Sequence, residues 1–283
     1  MKSHRSPKKY TEYDMIQIHT DLPPFPDIRT RLLYSFLSSE SGAAQSELLS
    51  LATSLMQLGT DTHDLVSNDK EENGQVALRS KQLKVLAGDY FSARFYHILA
   101  QSGQIGMIKA LAQNICEVNR QKMSLYLTMK TLKLTAEEYI QRSVQIRSQL
   151  YLSFTGLLKG KASSLWPEIV QAFVKGEFLL QELFRTQAAG DFKESWGFWH
   201  VLQNGAKEDR KLLQSQELEP GRIRTILMKY HIPGQLYQLL DDHIKGLAAK
   251  VKQLEPDRLA GELAALYEPF THYLSSLKVQ EEI

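Results

Sequence analysis

Between residues 82 and 101 the chain reads Gln82-Leu-Lys-Val-Leu-Ala-Gly88-Asp89-Tyr-Phe91-Ser-Ala-Arg-Phe95-Tyr-His-Ile98-Leu-Ala-Gln101. Phe91, Phe95 and Ile98 recur at the three- and four-residue spacing of one helix face, while Leu83, Leu86 and Tyr90 do the same on another. The spacing predicts a helix over roughly Ser80 to Gln101 that is apolar on most of its circumference and needs cover on several sides. Lys84, Asp89 and Arg94 interrupt it, and one central charge costs ~3 kcal/mol in a bilayer, so it does not read as a membrane span. A helix of this kind asks for a surrounding helical bundle.

The neighbouring segments supply one. Upstream, Leu48, Leu51, Ala52, Leu55, Met56 and Gly59 trace the stripe of a one-sided helix from Ser46 to about Val66, and the polar run Ser67 to Gly74 reads as a loop. Downstream, Ile108, Leu111, Ala112, Ile115 and Val118 predict a helix from Ile105 to about Met129. Thr135-x-x-Glu138 has the form of a capping box, in which the two side chains satisfy each other's backbone amides, and opens a helix read as far as Gly160. Further helices are expected at Ser164 to Gln187 with Pro167 in the first turn, Asp191 to Asn204, Lys207 to Leu218, a short one before Pro233-Gly234, Gln235 to Leu254, and one from Asp257. Four prolines make residues 1–28 an irregular N-terminal arm. No hairpin signal or fixed-period repeat appears. The fold class is therefore all-α, a single-domain helical bundle over residues 29–283.

Composition narrows the function. The 34 Lys and Arg against 32 Asp and Glu leave a charge of +2, short of the basicity that nucleic-acid binding requires. A single cysteine, Cys116, allows neither an intrachain disulfide nor a Cys-based zinc site. Lys2, Arg5, Lys8 and Lys9 are followed by no apolar run, so no signal peptide is read and the cytoplasm is the expected location, with membrane contact at most peripheral. Phosphate loops, GxGxxG, GxSxG and HExxH motifs are missing. His97 and His200 read as packed or surface residues, and Lys245 stands where an acidic motif begun by Asp241-Asp242 would need its last carboxylate.

What remains is Asp61-Thr-His63-Asp64-Leu65 at the end of one helix and Val85-Leu-Ala-Gly88-Asp89-Tyr-Phe91 early in the next. This pair resembles the trans-isoprenyl diphosphate synthases, in which a helix ends in His-Asp-Asp-x-x-Asp and a later one begins Val-Leu-Ala-Gly-Asp-Tyr/Phe. Gly176-x-Phe178-x-x-Gln181 is similar, more weakly, to that family's lead into its second aspartate motif. The resemblance implies a bundle of the isoprenyl synthase type and chemistry at Mg²⁺. Carboxylates at i, i+1 and i+4 on one helix face would hold the ions by oxygen ligands, and the ions would stabilise a departing allylic diphosphate.

This sequence departs from the family's pattern at each of those positions. The first motif survives as Asp64, Leu65 and Asn68, one carboxylate of three; after Gln181 come Glu182, Leu183 and Phe184, with no aspartate pair. The family's adjacent arginines are replaced by separated Arg79, Lys81 and Lys84, and Ile146 and Arg147 stand where its Lys-Thr pair would fall. The pattern is most similar to the small, non-catalytic subunits of two-component heptaprenyl diphosphate synthases. That likeness implies no catalytic residue and no metal or other cofactor in this chain, with Mg²⁺ in a catalytic partner, component 2, that bears intact DDxxD motifs. The pair would make all-trans-heptaprenyl diphosphate from farnesyl and isopentenyl diphosphates for menaquinone side chains. The partner interface is expected on the Gly-Asp helix and the next, at Phe91, Phe95, Ile98, Ile108, Leu111, Ile115 and Val118. Read from the residues alone, an unrelated all-α interaction module and a synthase with unorthodox metal ligands stay open beside it.

Overall fold

The computed structural model describes residues 20–40, 42–66, 74–186, 192–214, 219–252, 254 and 257–281. Among them are eleven α-helices and no strand. They fall into two compact units, one holding the chain through Ile115 together with Ser153–Ser164, the other Cys116–Leu152 and everything from Leu165 onward.

The first unit is built from α1 (Asp27–Ser38), α2 (Ala43–Asp64), α3 (Gln75–Gln101), the start of α4 (Ile105–Lys130) and a 3₁₀ turn at Thr155–Leu157. Pro23, Pro24 and Pro26 keep residues 20–26 out of a helix, and Thr30 Oγ1 donates to the Pro26 carbonyl at 2.7 Å where α1 starts. Here α2 is the central element, lying against α1 and along α3. Its periodicity suggests a one-sided helix, yet Ser46, Ser50, Thr53, Ser54, Gln57, Thr60 and Thr62 are buried together with its leucines. The reason is local hydrogen bonding: Thr53, Thr60 and Thr62 donate to the carbonyls of Leu49, Gln57 and Leu58 at 2.9, 2.8 and 2.6 Å. A hydroxyl satisfied by its own helix buries at little cost and, being small, admits a neighbouring helix closely. On α3, expected to need cover on several sides, this chain covers only some of them and leaves Val85, Leu86 and Tyr96 exposed, Leu86 by 61%.

The second unit holds the rest of α4, then α5 (Ala136–Leu152), α6 (Gly160–Arg185, from Leu165), α7 (Trp196–Asn204), α8 (Lys207–Gln214), α9 (Pro220–Lys229), α10 (Ile232–Val251) and α11 (Asp257–Glu281). The capping box is formed as expected: the Glu138 amide donates to Thr135 Oγ1 and the Thr135 amide to Glu138 Oε2, both at 3.1 Å. Other boundaries differ. The helix it opens stops at Leu152, well short of Gly160, because the chain turns there and Gly160 takes a φ of +54° that glycine tolerates. The next helix starts a turn early, so Pro167 lies inside it. Ser195 Oγ caps α7 by accepting from the Phe198 amide, which moves its start from Asp191 to Trp196. Pro233 sits in the first turn of α10, where its missing N–H is not needed, and the expected break after the short helix α9 falls just before it, at Tyr230 and His231. The core of this unit is aromatic: Trp166, Trp199, Phe173, Phe178 and Phe270 are buried, and Tyr139 meets Phe178 edge-on.

Between α10 and α6, His243 Nε2 donates to the Ala172 carbonyl at 2.8 Å. Burial lowers the pKa of His243 from its ordinary 6.5, against the smaller raising effect of that hydrogen bond. The unfolded chain therefore takes up this proton at a higher pH than the folded one, so the contribution to stability is whole above about pH 6.5 and is lost as pH falls through the lower folded value. Urea midpoints measured from pH 7.5 to pH 5 should drop for the native chain and drop less for His243→Gln, which keeps a donor but not the titration.

Candidate functional site

The last turn of α2 carries the first candidate motif. Asp61 accepts from Gln57 Nε2 at 2.7 Å and Thr62 is fully buried, which leaves His63 and Asp64 as the turn's outward groups. His63 reaches across to α3, with Nε2 3.5 Å from Asp89 Oδ1. Beneath the ring lies Gly88: a Cβ built there would fall 2.6 to 2.9 Å from three imidazole atoms. A Cβ on Gly59 would likewise meet Ser92 Oγ at 2.9 Å and the Gly88 carbonyl at 3.1 Å. The two sequence signatures, at 61–64 and 85–91, are thus the two sides of one helix–helix junction, in which Gly59 faces the backbone of α3 and Gly88 leaves room for the His63 ring. Asp64 and Leu65 lie exposed at its rim, and Asn68 lies outside the described residues.

The C-terminal end of α6 carries the second. Glu182 is buried at 2% exposure, and both of its oxygens are engaged. Oε1 accepts from Arg185 Nη1 at 2.8 Å and from the Tyr139 hydroxyl at 3.4 Å, while Oε2 accepts from the Trp196 amide at 2.6 Å. Arg185 also donates to the Lys193 carbonyl. Burial, and then the Glu182 carboxylate, push the Tyr139 hydroxyl pKa well up, keeping it a neutral donor. One residue earlier, Gln181 accepts from Arg147 Nη1 at 2.6 Å, and the Arg147 guanidinium lies over the Phe178 ring. Sequence reading noted Glu182 only as a missing aspartate. An acid in a helix interior three residues before an arginine was the available signal for an ion pair.

A pair of Mg²⁺ ions needs clustered carboxylate oxygens that are free to coordinate. At the first position Asp64 is followed by apolar Leu65, and at the second the one carboxylate is held by a guanidinium whose charge repels a cation. The residues present do not fit the ions, and among the described residues no three His, Cys, Asp or Glu side chains gather as a metal site.

The family model for heptaprenyl diphosphate synthase (HEPPP synthase) subunit 1 matches residues 13–219. The chain belongs to the heptaprenyl diphosphate synthase subunit 1 family. This removes the reading as an unrelated interaction module. Heptaprenyl diphosphate synthase component 1 of Geobacillus stearothermophilus is 38% identical over 88 residues, a stretch that covers 31% of this chain and 38% of the relative's own length. Solved structures extend the likeness over the bundle. Geranylgeranyl pyrophosphate synthase from Lactobacillus brevis superposes with a TM-score of 0.66 at 16% identity, covering 92% of this chain and 90% of that one. A decaprenyl diphosphate synthase from Rhodobacter capsulatus gives 0.64 at 16% identity over 95% and 91%. At such identities the agreement is one of fold, and it makes this subunit 1 member an all-α protein of the isoprenyl synthase type.

Of the residues read as the partner surface, Phe91, Phe95, Ile98, Leu111 and Val118 are buried inside this chain, and Ile108 and Ile115 are half-buried. Phe91, Phe95 and Ile98 face inward because α2, narrow with hydroxyls and glycine, draws α3 onto itself. The apolar side chains that α3 and the start of α4 leave outside are Val85, Leu86, Tyr96 and Ile105.

Two substitutions test this geometry. Gly59→Ala, whose methyl would meet the Gly88 carbonyl, should destabilise the fold by about 1–3 kcal/mol through overpacking, whereas Gly88→Ala displaces only the part-exposed His63 ring and should lose clearly less, as read by urea denaturation. Glu182→Ala leaves Arg185 without its acid and the Trp196 amide unpaired, so a loss of about 3–5 kcal/mol is expected. Glu182→Gln, which still offers an oxygen to that amide, should lose clearly less.

Proposed function

We propose that this chain is the non-catalytic subunit of a two-component trans-prenyltransferase. Its catalytic partner, component 2, would carry intact DDxxD motifs and the Mg²⁺, and this chain would hold no cofactor of its own. The pair would act in the cytoplasm, making all-trans-heptaprenyl diphosphate from farnesyl and isopentenyl diphosphates for menaquinone side chains. Family membership supports the assignment to a prenyl synthase subunit.

The observation that carries the non-catalytic role is the state of Glu182. Chain elongation of this kind requires the departing diphosphate to be neutralised by metal ions held on carboxylates. Here the acid nearest the second motif is spent on Arg185 and the Trp196 amide, and the first motif is reduced to Asp64. A chain that folds by using its acid in this way lacks the clustered carboxylates that such chemistry needs at those two helix ends. Its contribution is then a surface. We place that surface on the outer face of α3 and the start of α4, where Leu86, Tyr96 and Ile105 are exposed and Ile108 and Ile115 are half-buried. An obligate interface buries upwards of ~2,000 Å², and a charge at its centre would be left desolvated and unpaired.

The test is to purify the chain alone and with the catalytic component, then supply farnesyl diphosphate, labelled isopentenyl diphosphate and Mg²⁺. Elongation to a heptaprenyl product is expected only from the pair. Leu86→Asp and Ile105→Asp should retain their helical circular dichroism but fail to co-elute with the partner, whereas Phe95→Asp should lose the fold itself. Elongation by the isolated chain well above a blank would overturn the non-catalytic reading.

A further inference from the structure

A small polar network closes the turn between α9 and α10. Tyr230, at the end of α9, is held at both of its ends. Its hydroxyl donates to Asp209 Oδ2 on α8 at 2.5 Å and accepts from the Ala206 amide at 2.8 Å. Its carbonyl accepts from Gln235 Nε2 at 2.9 Å, and that same nitrogen lies 3.2 Å from His200 Nε2 on α7. Beside Tyr230, His231 holds a left-handed φ of +48°, a conformation that persists in a residue other than glycine only where its surroundings impose it. The helix before the turn has little else to keep it in place. Its buried side chains are Ile223, Ile226 and Leu227, while Arg222, Arg224, Met228 and Lys229 are exposed, Met228 by 76%.

The protonation state of His200 follows from this geometry. The atom of Gln235 next to the Tyr230 carbonyl must be the amide nitrogen, because the amide oxygen in its place would set two acceptors against each other. One of its hydrogens goes to that carbonyl, and the other is left for His200. His200 Nε2 therefore accepts, which requires a neutral ring with its hydrogen on Nδ1. A second proton would set a donor against a donor, and the amide cannot turn over to meet it without opposing its own oxygen to Tyr230.

The charges about the ring are few. On α7 itself there is no other ionisable side chain. Of the helices packed against it, α5 brings Glu137, whose charge favours protonation, while Glu138 is turned back onto the Thr135 amide. From α8 comes Asp209, already committed to Lys229 at 2.6 Å and to Tyr230; Lys207, Glu208, Arg210 and Lys211 are exposed. The turn adds exposed His231, and α10 has no charged side chain before Asp241. Trp196 stacks on the His200 ring at 4.7 Å. Burial holds the pKa of His200 below its ordinary 6.5, against the smaller raising effect of Glu137.

We propose that His200 and Gln235 form an acid-released clasp on the turn between α9 and α10, with α9 as the strap that it frees. Above about pH 6.5 the neutral ring holds Gln235, and Gln235 holds the Tyr230 carbonyl. As pH falls through the lower folded value the ring gains its proton and that link is lost. Short of buried contacts, α9 then opens ahead of the rest of its unit. The inference rests on the geometry of this network and does not depend on the enzyme reading.

The experiment has two readings on the full chain. Nitrogen-15 spectra at pH 7.5 should show the His200 ring neutral, with its hydrogen on Nδ1. Amide deuterium exchange, expressed as protection so that the pH dependence of the exchange chemistry cancels, is then compared at pH 7.5 and pH 5. The amides of Tyr230, His231 and Gln235 should lose about ten-fold in protection, the scale of one hydrogen bond, while those of α5 change clearly less. His200→Gln should remove most of that difference, and Gln235→Ala should leave the turn poorly protected at both pH values. His231→Asn, which suits a left-handed turn, and His243→Gln should both keep the difference. The proposal is overturned if the His200 hydrogen is found on Nε2 at pH 7.5, if protection of the turn does not fall in acid, or if His200→Gln loses it as the native chain does. It is equally overturned if His231→Asn or His243→Gln abolishes the difference, which would assign the titration to another ring.

Discussion

The contact between α2 and α3 governs the first unit. Gly59 and Gly88 bring the two backbones so near that the His63 ring lies directly on α3 and Phe91 and Phe95 are drawn fully inside. Dispersion gains fall off steeply with separation, so a tight approach of this kind is worth more than the apolar content of either helix suggests. The price is that neither glycine position admits a methyl group without displacing its neighbour.

That contact also explains where sequence reading succeeds and where it fails. The helices themselves are legible, because hydrophobic spacing and capping residues such as Thr135 and Glu138 act within a few residues of the chain. Faces are harder. Counting serine and threonine as solvent-facing makes α2 look one-sided, although Thr53, Thr60 and Thr62 satisfy their hydroxyls on their own helix and are buried. The apolar content of α3 asks for cover on several sides without saying which side chains this chain itself covers, and Leu86 and Tyr96 are left outside. The inward turn of Phe91, Phe95 and Ile98 follows from the width of the neighbour α2, a property that no window on α3 contains.

The candidate site shows the same division. The positions that the resemblance sets against the two aspartate motifs are readable from the residues around them, Asp61 to Asp64 and Gly176 to Gln181. What fills the second is not, since the partners of Glu182 come from α5, from Arg185 on its own helix and from the amide that opens α7. A buried carboxylate with an arginine and an amide beside it is satisfied electrostatically, and removing any partner leaves a charge or a donor in an apolar setting. Such a group resists return to metal binding. Chelation would require releasing Arg185, and the Trp196 amide would lose its acceptor.

The burial of α2 on nearly every side bears on how the first unit opens and closes. Most of the stability of a helix inside a protein comes from tertiary packing rather than propensity, and α2 is buried along nearly its whole length. That packing comes from α1 and α3, which lie against it. Its amide protons are thereby shielded from deuterium until the whole unit comes apart, so that α2 and its coverings form one cooperative folding block.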